Sequence, residues 1–209
     1  MNTKQLWKTA IAGAAALLAA CSDSTGSSGS ASGSLGFTYG GARAGSYSAS
    51  GTFKQTGSSF VKQPFAVGVS SSTTAGAALA MLSYVPVTSS TGNMVLIGIP
   101  NRASGTIALD DNCGGNEICP FAAVLFGTNP DLEEDDSQIF TFTSGQVNIT
   151  SNNGKRVTGT FSGTAETFLG DSVITITNGT FDMPVRSSTS LSGNRVLAPV
   201  RLSHARKPE

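Results

Sequence analysis

From about Leu35 to Met183, apolar side chains recur at every second position or in short unbroken runs, with Gly, Ser, Asn and Pro between the runs. A period of two belongs to strands, because successive side chains of an extended chain point to opposite faces. Phe37 and Tyr39, then Tyr47, Ala49, Gly51 and Phe53, alternate with polar or small residues and predict two half-buried strands joined near Gly40-Gly41. Phe65, Val67 and Val69 predict a third. Ala77 to Val87 is ambiguous, since Ala78, Leu79 and Leu82 also fit one helical face; Pro86 and the flanking β-branched residues favour a strand. Met94 to Ile99 is apolar at both parities, as expected of a central strand covered on both sides. Thr106 to Leu109 and Ala122 to Phe126 read as further short strands. From Ile139 onward an antiparallel meander is expected: 139 to 150, a tight turn at Asn152-Asn153-Gly154, a return over Val157 to Thr164, a turn at Gly170-Asp171, and a last strand over Val173 to Met183. Within that last strand the alternation Ile174, Ile176 resumes as Phe181, Met183, one residue out of step, which predicts a bulge at Asn178-Gly179 rather than a turn. Ten or so strands in about 150 residues indicate an all-β chain, a single antiparallel β-sandwich or open β-barrel.

The ends differ from this body. Lys4 and Lys8 precede an uncharged stretch of 12 residues, Thr9 to Ala20, which as a helix would span about 18 Å against the ~30 Å hydrocarbon core of a membrane. The pattern is that of a signal peptide rather than a transmembrane helix. Residues 22 to 34 contain no large apolar side chain and read as a flexible Ser/Gly tether reaching about 20 Å. Residues 187 to 209 carry Arg195, Arg201, Arg206, Lys207 and His204 against a single acid, Glu209, and read as a basic flexible tail. The expected division is therefore a signal peptide over 1–20, an anchor and tether over 21–34, a β-rich domain over 35–186 and a tail over 187–209.

The leader ends in Leu18-Ala19-Ala20-Cys21, which resembles the lipobox of bacterial lipoproteins. The resemblance implies cleavage before Cys21, acylation of that cysteine with palmitate-like chains, and attachment to a membrane through the lipid. Two acyl chains already hold a protein stably on a bilayer, and three make release negligible. Ser22, rather than Asp, follows the cysteine, which by resemblance to the enteric sorting rule implies the outer membrane. The body, notably SGQVNITSNNGKRVTGTFSGTAE and ITITNGTFDMPV, resembles uncharacterised bacterial lipoproteins sharing a β-meander with a Gly-Thr-Phe strand. That likeness implies a fold and no chemistry.

Composition narrows the function further. Charged residues make up 12% of the chain, and removal of Lys4 and Lys8 leaves 11 basic against 13 acidic side chains. Such a balance gives no field to draw nucleic acid, so no nucleic-acid partner is expected. With Cys21 lipidated, Cys113 and Cys119 are the remaining thiols, and an exported even pair is expected to form a disulfide. By loop entropy it would contribute about 2 to 2.5 kcal/mol. The neighbourhood is acidic, which disfavours an activated redox thiol.

Asp110, Asp111, Glu117, Asp131, Glu133, Glu134, Asp135 and Asp136 lie in a stretch without Lys or Arg. The favoured reading is a solvated acidic loop with no metal; the alternative is Ca²⁺ held by Asp131, Glu133, Glu134, Asp135 and Asp136, although the spacing lacks the EF-hand Gly and Glu. His204, the single histidine, lies in the tail, so no Ser/His/Asp triad or histidine metal site can be built inside the domain, and no catalytic residue is assigned. Asn148 and Asn178 sit in glycosylation sequons, but in this context strand and turn chemistry explains them. The expected function is a lipid-anchored, non-enzymatic binding or structural module of the cell envelope, without cofactor, meeting an envelope protein or glycan. The alternatives are a glycan hydrolase using paired carboxylates among Glu166, Asp171 and Asp182, and a Ca²⁺-dependent adhesion module.

Overall fold

The computed structural model describes residues 31–56, 59–60, 63–73, 76–89, 91–109, 118–128, 139–167 and 170–187. Among these every regular element is a strand: β1 (Gly33–Gly41), β2 (Gly45–Gly51), β3 (Gln55–Thr56), β4 (Ser59–Phe60), β5 (Phe65–Thr73), β6 (Gly76–Pro86), β7 (Gly92–Pro100), β8 (Gly105–Ala108), β9 (Phe121–Thr128), β10 (Ile139–Asn152), β11 (Arg156–Thr167) and β12 (Val173–Ser187). The ambiguous 77–87 stretch is thus a strand. It lies between β5 and β7 in antiparallel register, and Pro86 falls at its end, where a missing N–H does least harm.

The sheet runs β11-β10-β9-β7-β6-β5-β12, and β12 also pairs with β11, so seven strands form a closed ring. Of the two expected architectures the barrel is found, closed rather than open. Closure rests on two ladders at β12: a long antiparallel one to β11, and a short parallel one in which Val185, Arg186 and Ser187 meet Gly68, Val69 and Ser70 of β5. Beyond that short contact β12 parts from β5, and the β1–β2 hairpin takes the edge so vacated, with Ser34 to Gly41 opposite Asp182 to Ile174. The domain begins two residues earlier than the sequence suggests. Gly33 is buried, and a Cβ there would lie 2.2 Å from the carbonyl oxygen of Ala66, so this glycine is a close-approach residue of β1 and not part of a tether.

Two apolar clusters hold the barrel. The larger fills the interior with side chains from every ring strand and from β1, β2 and β8, including Leu35, Phe37, Met81, Ile97, Phe140, Val147, Phe161, Ile176 and Met183. The smaller lies on the outer face of one wall and comprises Phe53, Phe65, Val67, Val69, Leu82, Tyr84, Met94, Leu96, Ala123, Leu125 and Ile139. Strand β7 shows the division: Val95, Ile97 and Ile99 point to one cluster, Met94 and Leu96 to the other, and all are buried. Its expected burial on both sides is what the structure has. Phe53 contributes to the outer cluster by meeting Phe65 edge-on at 5.0 Å, while the Arg186 guanidinium carbon lies over the Phe53 ring, 5.4 Å from its centroid.

Candidate functional site

The opposite wall behaves differently on its outer side. Over the middle of β10, β11 and β12 the buried positions are apolar or glycine, while Gln146, Thr158, Thr160, Thr175, Thr177 and Thr180 face outward; Arg156, Glu166 and Asp182 are the charged side chains on the same side. Adjacent strands place these side chains in rows: Gln146 opposite Ser162, and Asn148, Thr160 and Thr180 in line across three strands. Neighbouring strands lie about 4.8 Å apart, so the rows form a lattice of hydroxyls and amides.

The lattice is interrupted at Asn178. On the β1 side the register passes from Thr177 to Thr180, and on the β11 side from Ile176 to Gly179, so Asn178 has no cross-strand partner in either ladder. This is the expected bulge. Asn178 has φ 53°, the single positive value at a non-glycine among the described residues, and Asn is one of the side chains that tolerates it. Gly179 is required next to it, since a Cβ would come within 2.3 Å of the Phe161 carbonyl oxygen. The Asn178 amide donates to Thr38 Oγ1 at 3.3 Å, and that hydroxyl lies 2.9 Å from Thr177 Oγ1. The side chain is thereby fixed across the β1–β12 seam.

Around the bulge lies a shallow open depression of about 370 Å³, lined by Gln146 of β10, Thr160, Phe161 and Ser162 of β11, and Asn178, Gly179 and Thr180 of β12. No lining residue is charged. The nearest ion pair is Arg156 to Asp182 at 2.5 Å, with both side chains nearly half exposed. The hydrogen bond that Arg156 donates to Asp182 raises the Arg156 pKa above its ordinary value. Such a surface offers hydrogen-bond donors and acceptors but no proton donor or acceptor with a pKa suited to acid–base work.

None of Glu166, Asp171 and Asp182 lines the depression, and Asp182 lies far from Glu166. Asp182 stands opposite Thr158, eight positions along β11 from Glu166, which at a strand's rise is about 26 Å. Paired-carboxylate hydrolysis needs about 5 to 10 Å. Asp171 accepts a hydrogen bond from the hydroxyl of buried Thr167 and closes the turn between β11 and β12. Cys119 is exposed just ahead of β9, whereas Cys113 and Cys21 lie outside the described residues. So do Asp131, Glu133, Glu134, Asp135 and Asp136. Among the described residues no group of three or more His, Cys, Asp or Glu is placed to hold a metal ion, and no helix is long and apolar enough to cross a membrane.

Sequence reasoning missed Gln146, Thr160, Ser162 and Thr180 as a group. The signal available was the skipped alternation at Asn178 combined with neutral outward positions on three consecutive strands. No family model, curated protein or solved structure matches the chain.

Proposed function

We propose that the protein is a lipid-anchored, non-enzymatic binding module of the cell envelope, tethered through Cys21 and presenting the neutral depression over β10, β11 and β12. The observation that carries the reading is the contrast between a barrel interior filled with apolar side chains and an exposed wall of hydroxyl and amide groups around a bulge. Among the described residues the barrel interior is packed with apolar side chains, and a neutral wall suits recognition more than bond cleavage. The Leu18-Ala19-Ala20-Cys21 segment supports the anchor. A Cys113–Cys119 disulfide belongs to the same reading, and Cys119 does not stand as a free thiol.

The test is metabolic labelling of the full chain with a palmitate analogue, followed by membrane flotation. Wild type should carry label and float with outer-membrane fractions, and Cys21→Ser should lose both properties. An unlabelled wild type, or a Cys21→Ser chain that floats as before, would overturn the anchor.

A further inference from the structure

We propose that the depression over the Asn178 bulge binds an uncharged saccharide unit, a deduction that rests on the binding-module reading above and names its ligand class. The chemistry of the lining excludes other classes in turn. An anion would require a cation or an array of inward-aimed N–H groups, and Gln146, Thr160, Ser162, Asn178 and Thr180 supply no charge. A divalent cation would require carboxylates, and none lines the site. An acyl chain would require a continuous apolar trough. A peptide strand would need an open sheet edge, whereas the depression sits over β11, which is paired on both sides.

What remains is a ligand whose own surface is neutral hydroxyl or amide. Both donors and acceptors are present in the lining, since each hydroxyl and each primary amide serves as either. They come from three adjacent strands of a closed ring, so their spacing is held by the ladders rather than by flexible loops. Asn178 has no partner in either ladder and a positive φ that a plain strand residue would not need, and bulges of this kind re-aim side chains beside binding sites. Neutral groups also lose less on desolvation than charged ones, so a shallow site can release its water to a polyol without a large penalty.

The experiment uses the full chain purified from membranes in detergent, with immobilised uncharged hexasaccharides built from glucose, mannose, galactose or N-acetylglucosamine, beside heparin as the anionic probe. At least one uncharged probe should be retained. Asn178→Gly keeps the positive φ and removes the amide, and Thr160→Val removes an exposed hydroxyl; each should weaken retention about tenfold, the loss of one to two hydrogen bonds, with both chains folded and the melting temperature of Thr160→Val unchanged. Retention that survives both substitutions, retention of heparin alone, or no retention of any uncharged probe overturns the proposal. The same probes are assayed for cleavage: shortened products would sink the non-enzymatic reading itself, while absence of both binding and cleavage sinks the saccharide only.

Discussion

Replacing Tyr47 by Phe removes one buried oxygen and nothing else. Tyr47 and Ser83 are 4% and 0% exposed, and their hydroxyls meet at 2.9 Å. The Tyr47 ring stacks on Phe37 at 5.1 Å and 18°, a contact that phenylalanine keeps. The Ser83 hydroxyl would then be left in an apolar interior, which costs about 1 to 3 kcal/mol. For a domain of this size that lowers Tm by about 2 to 4 °C per kcal/mol. Ser83→Ala should cost a similar amount alone but add less than about 0.5 kcal/mol to Tyr47→Phe, because removing both partners leaves neither unsatisfied. Alkaline pH supplies an independent reading. Burial pushes the Tyr47 phenol well above its ordinary pKa, the Ser83 hydrogen bond opposes this and Tyr84 adds to it; Tyr84 is pushed up by burial as well. Above pH 10 the unfolded chain gives up these protons while the native chain holds them. Stability present below pH 10 is therefore lost as pH rises through and above that value. Urea titrations at pH 8, 10 and 11 should show Tyr47→Phe losing stability with a shallower alkaline slope than the wild type. Additive losses in the double variant, or an unchanged alkaline slope, would refute the reasoning.

At Gly159 a Cβ would lie 2.2 Å from the Asn148 carbonyl oxygen, whereas at Gly40 nothing lies within 4 Å. Gly159→Ala should cost about 1 to 3 kcal/mol by overpacking, and Gly40→Ala should stay within about 0.5 kcal/mol, both read by chemical denaturation. Leu96 and Ile97 face opposite clusters, and each truncation to Ala should cost about 2 to 5 kcal/mol. A Leu96→Ala loss below about 1 kcal/mol would show that the outer cluster is not a core. Millimolar Ca²⁺ should leave the melting temperature of the full chain unchanged; a clear rise would restore Asp131 to Asp136 as ligands.

The elements were legible because they depend on local alternation, and their closure was not because it depends on partners far apart in sequence. Met94 to Ile99 announces burial on both faces by being apolar at both parities, and the Asn178-Gly179 bulge announces itself by one skipped step. Nothing in Gly33 to Gly41 says that this strand will lie beside Asp182 to Ile174, and nothing in Val185 to Ser187 says that they will meet β5 in parallel. Phe65, Val67 and Val69 show the limit well. Their alternation correctly gives a strand, but a period of two cannot say which face becomes the interior, and here it is Ala66 that points inward while the large side chains build the outer cluster. The depression was invisible for the same reason, since its lining comes from three strands and has no motif of its own.

On the outward face of β10 to β12, the charged side chains Arg156, Glu166 and Asp182 all fall outside the lining of the depression. Within that lining Gln146, Thr160, Ser162, Asn178 and Thr180 form a neutral patch. Stability does not demand that neutrality, because Thr160 is exposed and a charge placed there would reach solvent. If the patch is neutral because a ligand must strip its water, Thr160→Lys should leave stability within about 0.5 kcal/mol and abolish retention of the uncharged probe. A substantial loss of stability would instead make Thr160 a residue of the fold, and the neutrality of the wall would then follow from strand pairing rather than from recognition.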